Sequence, residues 1–75
     1  MAAPELDIIS NMALKSWAYL NQVLKVLSEE QLSNMIEFEL LGKRRIDIIS
    51  RCHTRFSILR KEREMTEIME RVKNV

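Results

Sequence analysis

Hydrophobic positions in the first 27 residues recur every three, four or seven residues, which is the spacing of one face of an α-helix. The stripe comprises Leu6, Ile9, Ala13, Leu20, Val23 and Leu27, with Trp17 and Leu24 widening it. Pro4 suits a first helical position, and Glu5 and Asp7 follow it in the first turn, where acidic residues are favoured. The pattern predicts a first helix, helix A, of about 22 residues over residues 4–26.

Four further apolar residues of helix A, namely Ile8, Met12, Tyr19 and Val26, fall outside the stripe. The polar surface is thereby reduced to a narrow strip, and a helix this apolar covers more than one neighbour. We therefore expect a second subunit or a target protein to pack on helix A.

The stretch Leu27–Leu32 predicts a turn at residues 27–28 and a sharp start to the next helix. Ser28 can accept a hydrogen bond from the amide of Gln31, whose side chain can reach back to Ser28, which completes a capping box. Leu27 and Leu32 occupy the two positions of a hydrophobic staple. The chain is expected to reverse direction at Ser28.

A second helical pattern runs from Glu29 to about residue 73, with Gly42 inside it. The apolar groups before and after Gly42 point in different directions on a straight helix. A supercoiled helix brings them into one seam, in which Glu39 is the charged exception. Either Gly42 ends one helix and a new one starts at Lys43, or one long helix continues through it; the lack of a cap after Gly42 favours the long helix.

Composition supports an all-α chain, because the 75 residues include one Gly and one Pro and are 47% hydrophobic. So short a chain is expected to form one domain, residues 1–75, and to need a partner for stability. The predicted fold is a helical hairpin of helix A and a long second helix that Gly42 can break, assembled as a dimeric bundle. Helix A is too short to cover the second helix beyond about residue 51, so the remainder should project.

Charge is distributed unevenly, since residues 1–42 hold two basic and six acidic side chains, and residues 43–75 hold ten basic and five acidic ones. From Lys43 to Lys61, only Asp47 opposes seven basic residues. Arg44, Arg51 and Arg55 are seven and four residues apart, so one helix face would carry all three towards a nucleic-acid backbone. The competing interpretation is a solvated helix face with internal ion pairs.

Catalysis has little support in the sequence. The only cysteine and histidine, Cys52 and His53, are adjacent, and adjacent helical side chains diverge by about 100°. Metal-ligand clusters, glycine-rich phosphate loops and Ser-His-Asp sets are not evident. We expect no enzyme activity, cofactor, metal or small-molecule substrate. No apolar run reaches the ~18 residues of a membrane span, and one cysteine with no secretory signal favours a reducing cytoplasm.

A protein interface is the leading functional interpretation. Trp17 and Tyr19 are residue types that anchor interfaces, although the place of Trp17 on the main stripe also suits an internal core position. The predicted interface residues are Met12, Trp17, Tyr19, Leu20, Val23, Ile49 and Phe56.

The run Val23–Leu32, followed by Glu39-Leu40, Lys43-Arg44-Arg45, Ile48-Ile49, Arg51 and Arg55, resembles small accessory proteins of T4-like phages of the rapid-lysis group. The resemblance covers about half the chain and assigns no binding residue. It implies a cytoplasmic phage protein that modulates a partner by binding. The hairpin design is also similar in architecture to dimeric Rop-type RNA-binding proteins, without a shared motif. The sequence thus predicts a non-enzymatic helical adaptor or regulator, with a nucleic-acid-binding regulator as the alternative.

Overall fold

A computed structural model describes residues 4–74, which form four α-helices and no strand. The helices are α1 (Ile8–Lys15), α2 (Trp17–Val23), α3 (Glu29–Leu41) and α4 (Ile46–Lys73), and a 3₁₀ turn, Leu24–Val26, follows α2. The all-α prediction is confirmed for this part of the chain. Residues 1–3 and 75 of the predicted domain lie outside the described residues.

The first helix begins at Ile8, so the predicted start at Pro4 is wrong. Asp7 is the N-cap, and its Oδ1 accepts a hydrogen bond of 2.8 Å from the backbone N–H of Ser10. A carboxylate at this position satisfies an otherwise free amide and faces the positive helix end. Asp7 therefore sets the start of α1 through its side chain.

Helix A is interrupted at Ser16, which contradicts the prediction of one helix over residues 4–26. Ser16 has an extended backbone (φ −144°, ψ 117°) and caps α2 by accepting a hydrogen bond from the backbone N–H of Tyr19 at 3.2 Å. A serine hydroxyl at a helix start competes with continuation of the helix. The break changes the direction of the side chains that follow, Trp17 first.

The capping box at Ser28 is confirmed. Ser28 Oγ accepts from the N–H of Gln31 at 3.1 Å, and Gln31 Oε1 accepts from the N–H of Ser28 at 2.8 Å. Gln31 also donates from Nε2 to Asp7 Oδ2 at 2.9 Å. One glutamine thus joins the starts of α1 and α3.

The second helix is broken at Gly42, so the favoured long helix over residues 29–73 is wrong. Helix α3 ends at Leu41, and α4 begins at Ile46, later than the alternative start at Lys43. The left-handed residue in the turn is Arg44 (φ 54°), whose N–H donates to the Glu39 carbonyl at 2.8 Å. Position 42 has little room for a side chain, because a Cβ added to Gly42 would lie 3.3 Å from the Phe38 carbonyl oxygen.

The core lies where α3 and α4 pack as an antiparallel hairpin with α1, α2 and the 3₁₀ turn against them. Its buried apolar residues are Ala13, Leu14, Leu20, Leu24, Leu27, Leu32, Met35, Ile48 and Cys52. Among the described residues, the last hydrogen bond or ion pair from α4 to another helix joins Arg63 to Glu29, so the projecting part of α4 begins after residue 63 and not near residue 51 as predicted. Within residues 4–74, no helix combines the length and the apolar character needed to cross a membrane.

Candidate protein-binding surface

Helix α1 presents apolar side chains to solvent on the face opposite the core. Ser10, Ala13 and Leu14 are buried, whereas Ile8 is 77% exposed and Met12 is 47% exposed. Ile8 and Met12 are four residues apart and therefore neighbours on the helix surface. We call this exposed face, defined by Ile8 and Met12, the α1 surface.

Trp17 is the next exposed apolar residue after the α1 surface. A continuous helix would direct it towards the core stripe, but the extended backbone at Ser16 leaves it 49% exposed. In the first turn of α2, the backbone carbonyl of Trp17 accepts a hydrogen bond of 2.9 Å from the side-chain Nδ2 of Asn21. The side chain of Trp17 is thereby placed at the surface while its backbone is held in the helix.

The other predicted interface residues lie deeper. Tyr19, Val23 and Phe56 are half-buried and pack against the core, and Ile49 is also half-buried. Leu20 is completely buried among the chain's own apolar residues, so its side chain is not available at the surface. Of the seven predicted residues, Met12 and Trp17 are the ones that the fold leaves exposed.

A cleft of about 350 Å³ separates α1 from the turn between α3 and α4. Asn11 and Lys15 line it from α1, Phe38 lines it from α3, and Lys43 and Arg45 line it from the turn. Asn11 and Lys15 also lie on the exposed side of α1, so the cleft adjoins the α1 surface. Phe38 is the aromatic residue here that sequence reasoning missed, because its place depends on the turn.

An ion pair between the buried carboxylate of Glu39 and the half-buried guanidinium of Arg45 forms one wall of the cleft. Glu39 is 2% exposed, and its carboxylate accepts hydrogen bonds from the backbone N–H and the guanidinium of Arg45. Arg45 Nη2 also donates to the Leu14 carbonyl at 2.9 Å, which fixes the end of α1. The signal for this pair in the sequence is Glu39 itself, since a charge in an apolar seam requires a partner.

The pair alters the titration of both groups. The hydrogen bond from Arg45 lowers the pKa of Glu39 below its ordinary value, against the opposing effect of burial. The same hydrogen bond raises the pKa of Arg45. At neutral pH both groups are charged, and the cleft wall is a closed pair and not a free acid or base.

The three predicted nucleic-acid residues do not share one helix face. Arg44 lies in the turn before α4, and its Nε donates to the Leu40 carbonyl. Arg51 Nε donates to Asn21 Oδ1 at 3.0 Å, and Arg55 Nη2 donates to the Lys25 carbonyl at 3.3 Å. Both acceptors are neutral, so within residues 4–74 Arg51 and Arg55 carry charges that no ion pair balances.

Cys52 and His53 lie in different environments. Cys52 is fully buried, and desolvation, with a smaller effect of the Glu39 charge, raises the pKa of its thiol to about 11. His53 is exposed, with its ring centroid 6.3 Å from that of Phe56. A thiol in this state is a poor nucleophile, because the reactive species is the thiolate.

Comparison of the chain with protein-family models, with curated proteins and with solved structures gives no match. The resemblance to rapid-lysis accessory proteins of T4-like phages therefore stays a prediction. The α1 surface, Trp17 and the adjoining cleft together form the candidate binding surface.

Proposed function

We propose that this protein is a non-enzymatic helical adaptor or regulator that acts as a homodimer and binds another protein. The observation that carries the proposal is the exposure of Ile8, Met12 and Trp17, three large apolar side chains on consecutive helices. Exposed apolar residues beside a polar rim are typical of protein interaction sites, and Trp contributes disproportionately to binding energy. The resemblance to phage accessory regulators agrees with a cytoplasmic role of this kind.

The cleft beside the α1 surface gives the partner a place to insert a side chain. Phe38 supplies an aromatic wall, and Lys15 and Lys43 supply positive charge at the rim. A helix or loop with apolar anchors and an acidic flank has the complementary chemistry.

The test is site-specific photocrosslinking of the full chain in cells of its native host. A benzophenone amino acid at Met12 should give a discrete protein adduct that persists after nuclease treatment. The same probe at Gln22, an exposed polar position on α2, is the matched control and should not give that adduct. Equal labelling from both positions, or none from Met12, would reject the α1 surface as the binding site.

The homodimer is tested separately by light scattering over a dilution series. A mass that falls from dimer to monomer on dilution supports it. A monomeric, folded chain at all concentrations up to the millimolar range contradicts it.

A nucleic-acid-binding regulator is the second candidate. It is favoured by Arg51 and Arg55, whose charges are not paired within the described residues. Binding to duplex DNA or structured RNA should then weaken steeply with salt and with R51A, because phosphate contacts release counterions. Binding that is absent or insensitive to salt would reject this candidate.

A further inference from the structure

Helix α4 carries two separate apolar faces. The first packs towards α3 and includes Ile48, Cys52 and Leu59. The second consists of the exposed residues Ile58, Met65, Ile68, Met69 and Val72. At 3.6 residues per turn, the second face is centred about 125° away from the first. The chain's own hairpin therefore leaves the second face uncovered.

The uncovered face lies mostly on the projecting part of α4. Arg63 donates to Glu29 at 2.8 Å, and within the described chain every hydrogen bond and ion pair made beyond Arg63 stays inside α4. Residues 60–74 are all exposed. The ten residues from Glu64 to Lys73 extend about 15 Å past the hairpin as a bare helix.

The charges beside this face are mixed. Residues 60–73 include five basic and four acidic side chains. A membrane surface or a nucleic acid would call for an excess of one sign. A partner that also carries both signs, at matching intervals, fits the segment better.

We propose that the occupant of this face is the same segment of a second copy, packed antiparallel as a short coiled coil. The inference rests on the proposed homodimer and identifies the segment and the direction of its pairing. Ile58, Met65 and Val72 are seven residues apart and form the a positions of a heptad pattern, with Lys61 and Ile68 at d. In the antiparallel register, Met65 lies opposite Ile68 of the second copy, and Ile68 lies opposite its Met65.

The charges select this direction. Glu64 and Arg71 both occupy g positions, and g faces g when two helices run antiparallel. With Met65 opposite Ile68 of the second copy, Glu64 lies opposite Arg71 of that copy. The two-fold axis repeats the pair, so the dimer gains two complementary contacts.

A parallel arrangement lacks these contacts. It would place Glu64 near Met69 of the second copy and would bring the two Lys61 side chains together, since like positions meet in a parallel pair. In the antiparallel register, Lys61 instead lies opposite Val72, where its aliphatic stem can cover the apolar side chain while the ammonium group reaches water.

The test is a charge-exchange cycle on the full chain, with the dimer dissociation constant measured by sedimentation equilibrium at low salt. E64R and R71E should each weaken dimerisation about tenfold, because each places like charges at both symmetric contacts. The double variant E64R/R71E should restore the wild-type constant to within about twofold. E70R makes the same charge change on the opposite side of α4 and should leave the constant unchanged.

I68D should abolish the dimer without lowering the unfolding temperature of the monomer, because Ile68 lies outside the core. A dimer that survives I68D, or a double variant no tighter than E64R alone, overturns the proposed pairing. If such a dimer is instead dissociated by M12D, the homodimer stands and only its assignment to α4 fails. A wild-type chain that never dimerises contradicts both the homodimer and its assignment to α4. The crosslinking test at Met12 still decides whether the chain binds another protein.

Discussion

Arg45, whose side chain is 33% exposed, forms an ion pair with the buried carboxylate of Glu39, and this pair closes the turn between α3 and α4. The backbone N–H and the Nε of Arg45 lie 3.1 and 3.2 Å from the same Glu39 oxygen, Oε2, and Nη2 bonds the other oxygen. Because Nη2 also bonds the Leu14 carbonyl, the pair fixes the position of α1 as well as the turn.

Removing Arg45 should therefore be costly. R45M leaves the Glu39 carboxylate buried without its partner, and we expect a loss of about 3 kcal/mol in the free energy of unfolding. The double variant E39M/R45M should be less destabilised than R45M, because no buried charge remains. Urea denaturation followed by circular dichroism measures both.

The control for this comparison is R60M, which removes an exposed partner of Glu64 held at 3.6 Å. R60M should lower the free energy of unfolding by less than about 0.5 kcal/mol. If R45M lowers the free energy of unfolding no more than R60M does, the pair of Glu39 and Arg45 does not stabilise the turn.

Acid should destabilise the protein through Glu39. The pKa of Glu39 in the folded state lies below its ordinary value of 4.5, because Arg45 donates hydrogen bonds to it. As the pH falls below 4.5, the unfolded chain therefore binds more protons at Glu39 than the folded chain does. The stabilisation that the ion pair gives above that pH is lost as the pH falls through the folded-state pKa of Glu39. The variant E39Q should show a shallower fall of the unfolding temperature below pH 4.5, and equal slopes would contradict the assignment.

The capping box at Ser28 should contribute about 1 kcal/mol to the free energy of unfolding, because S28A leaves the backbone N–H of Gln31 without its acceptor at the start of α3. The matched control is S33A, an exposed serine inside the same helix, which should not destabilise. Chemical denaturation of both variants checks the difference. Equal stabilities would show that the cap seen at Ser28 carries no net energy.

Glycine at position 44 should give a more stable protein than alanine at position 44. The φ of Arg44, 54°, lies in the left-handed region, where a Cβ costs roughly 1 kcal/mol. R44G should therefore be about 1 kcal/mol more stable than R44A, the reverse of the order in a helix interior. Both variants lose the same charge, so the comparison isolates the backbone. A more stable R44A would contradict the left-handed geometry.

The features that sequence reasoning predicted correctly are local ones. The capping box needs only Ser28 and Gln31, three residues apart, and both bonds are present. The sequence does not predict the break at Ser16, because the hydrophobic stripe continues across it and a lone serine without Glu or Gln three residues later is a weak signal.

The turn after Gly42 depends on a contact that no periodic pattern contains. The sequence marks Glu39 as a charged exception in the seam, but its partner lies six residues later, outside any helical spacing. Once Glu39 must be paired inside the protein, the chain has to turn to bring Arg45 back to it. This turn also places Arg44 outside α4, so Arg44 does not share a helix face with Arg51 and Arg55 as predicted.

The shortness of α1 has a consequence for its local stability. Eight residues are fewer than the ~12 at which an isolated helix becomes even marginally stable in water. Its order depends on two anchors, Gln31 at Asp7 and Arg45 at Leu14, together with its buried face. Helix α1 should therefore open before the 13-residue helix α3 in hydrogen exchange. The helix that carries the surface proposed for partner binding is thus one that a partner can order by docking on it.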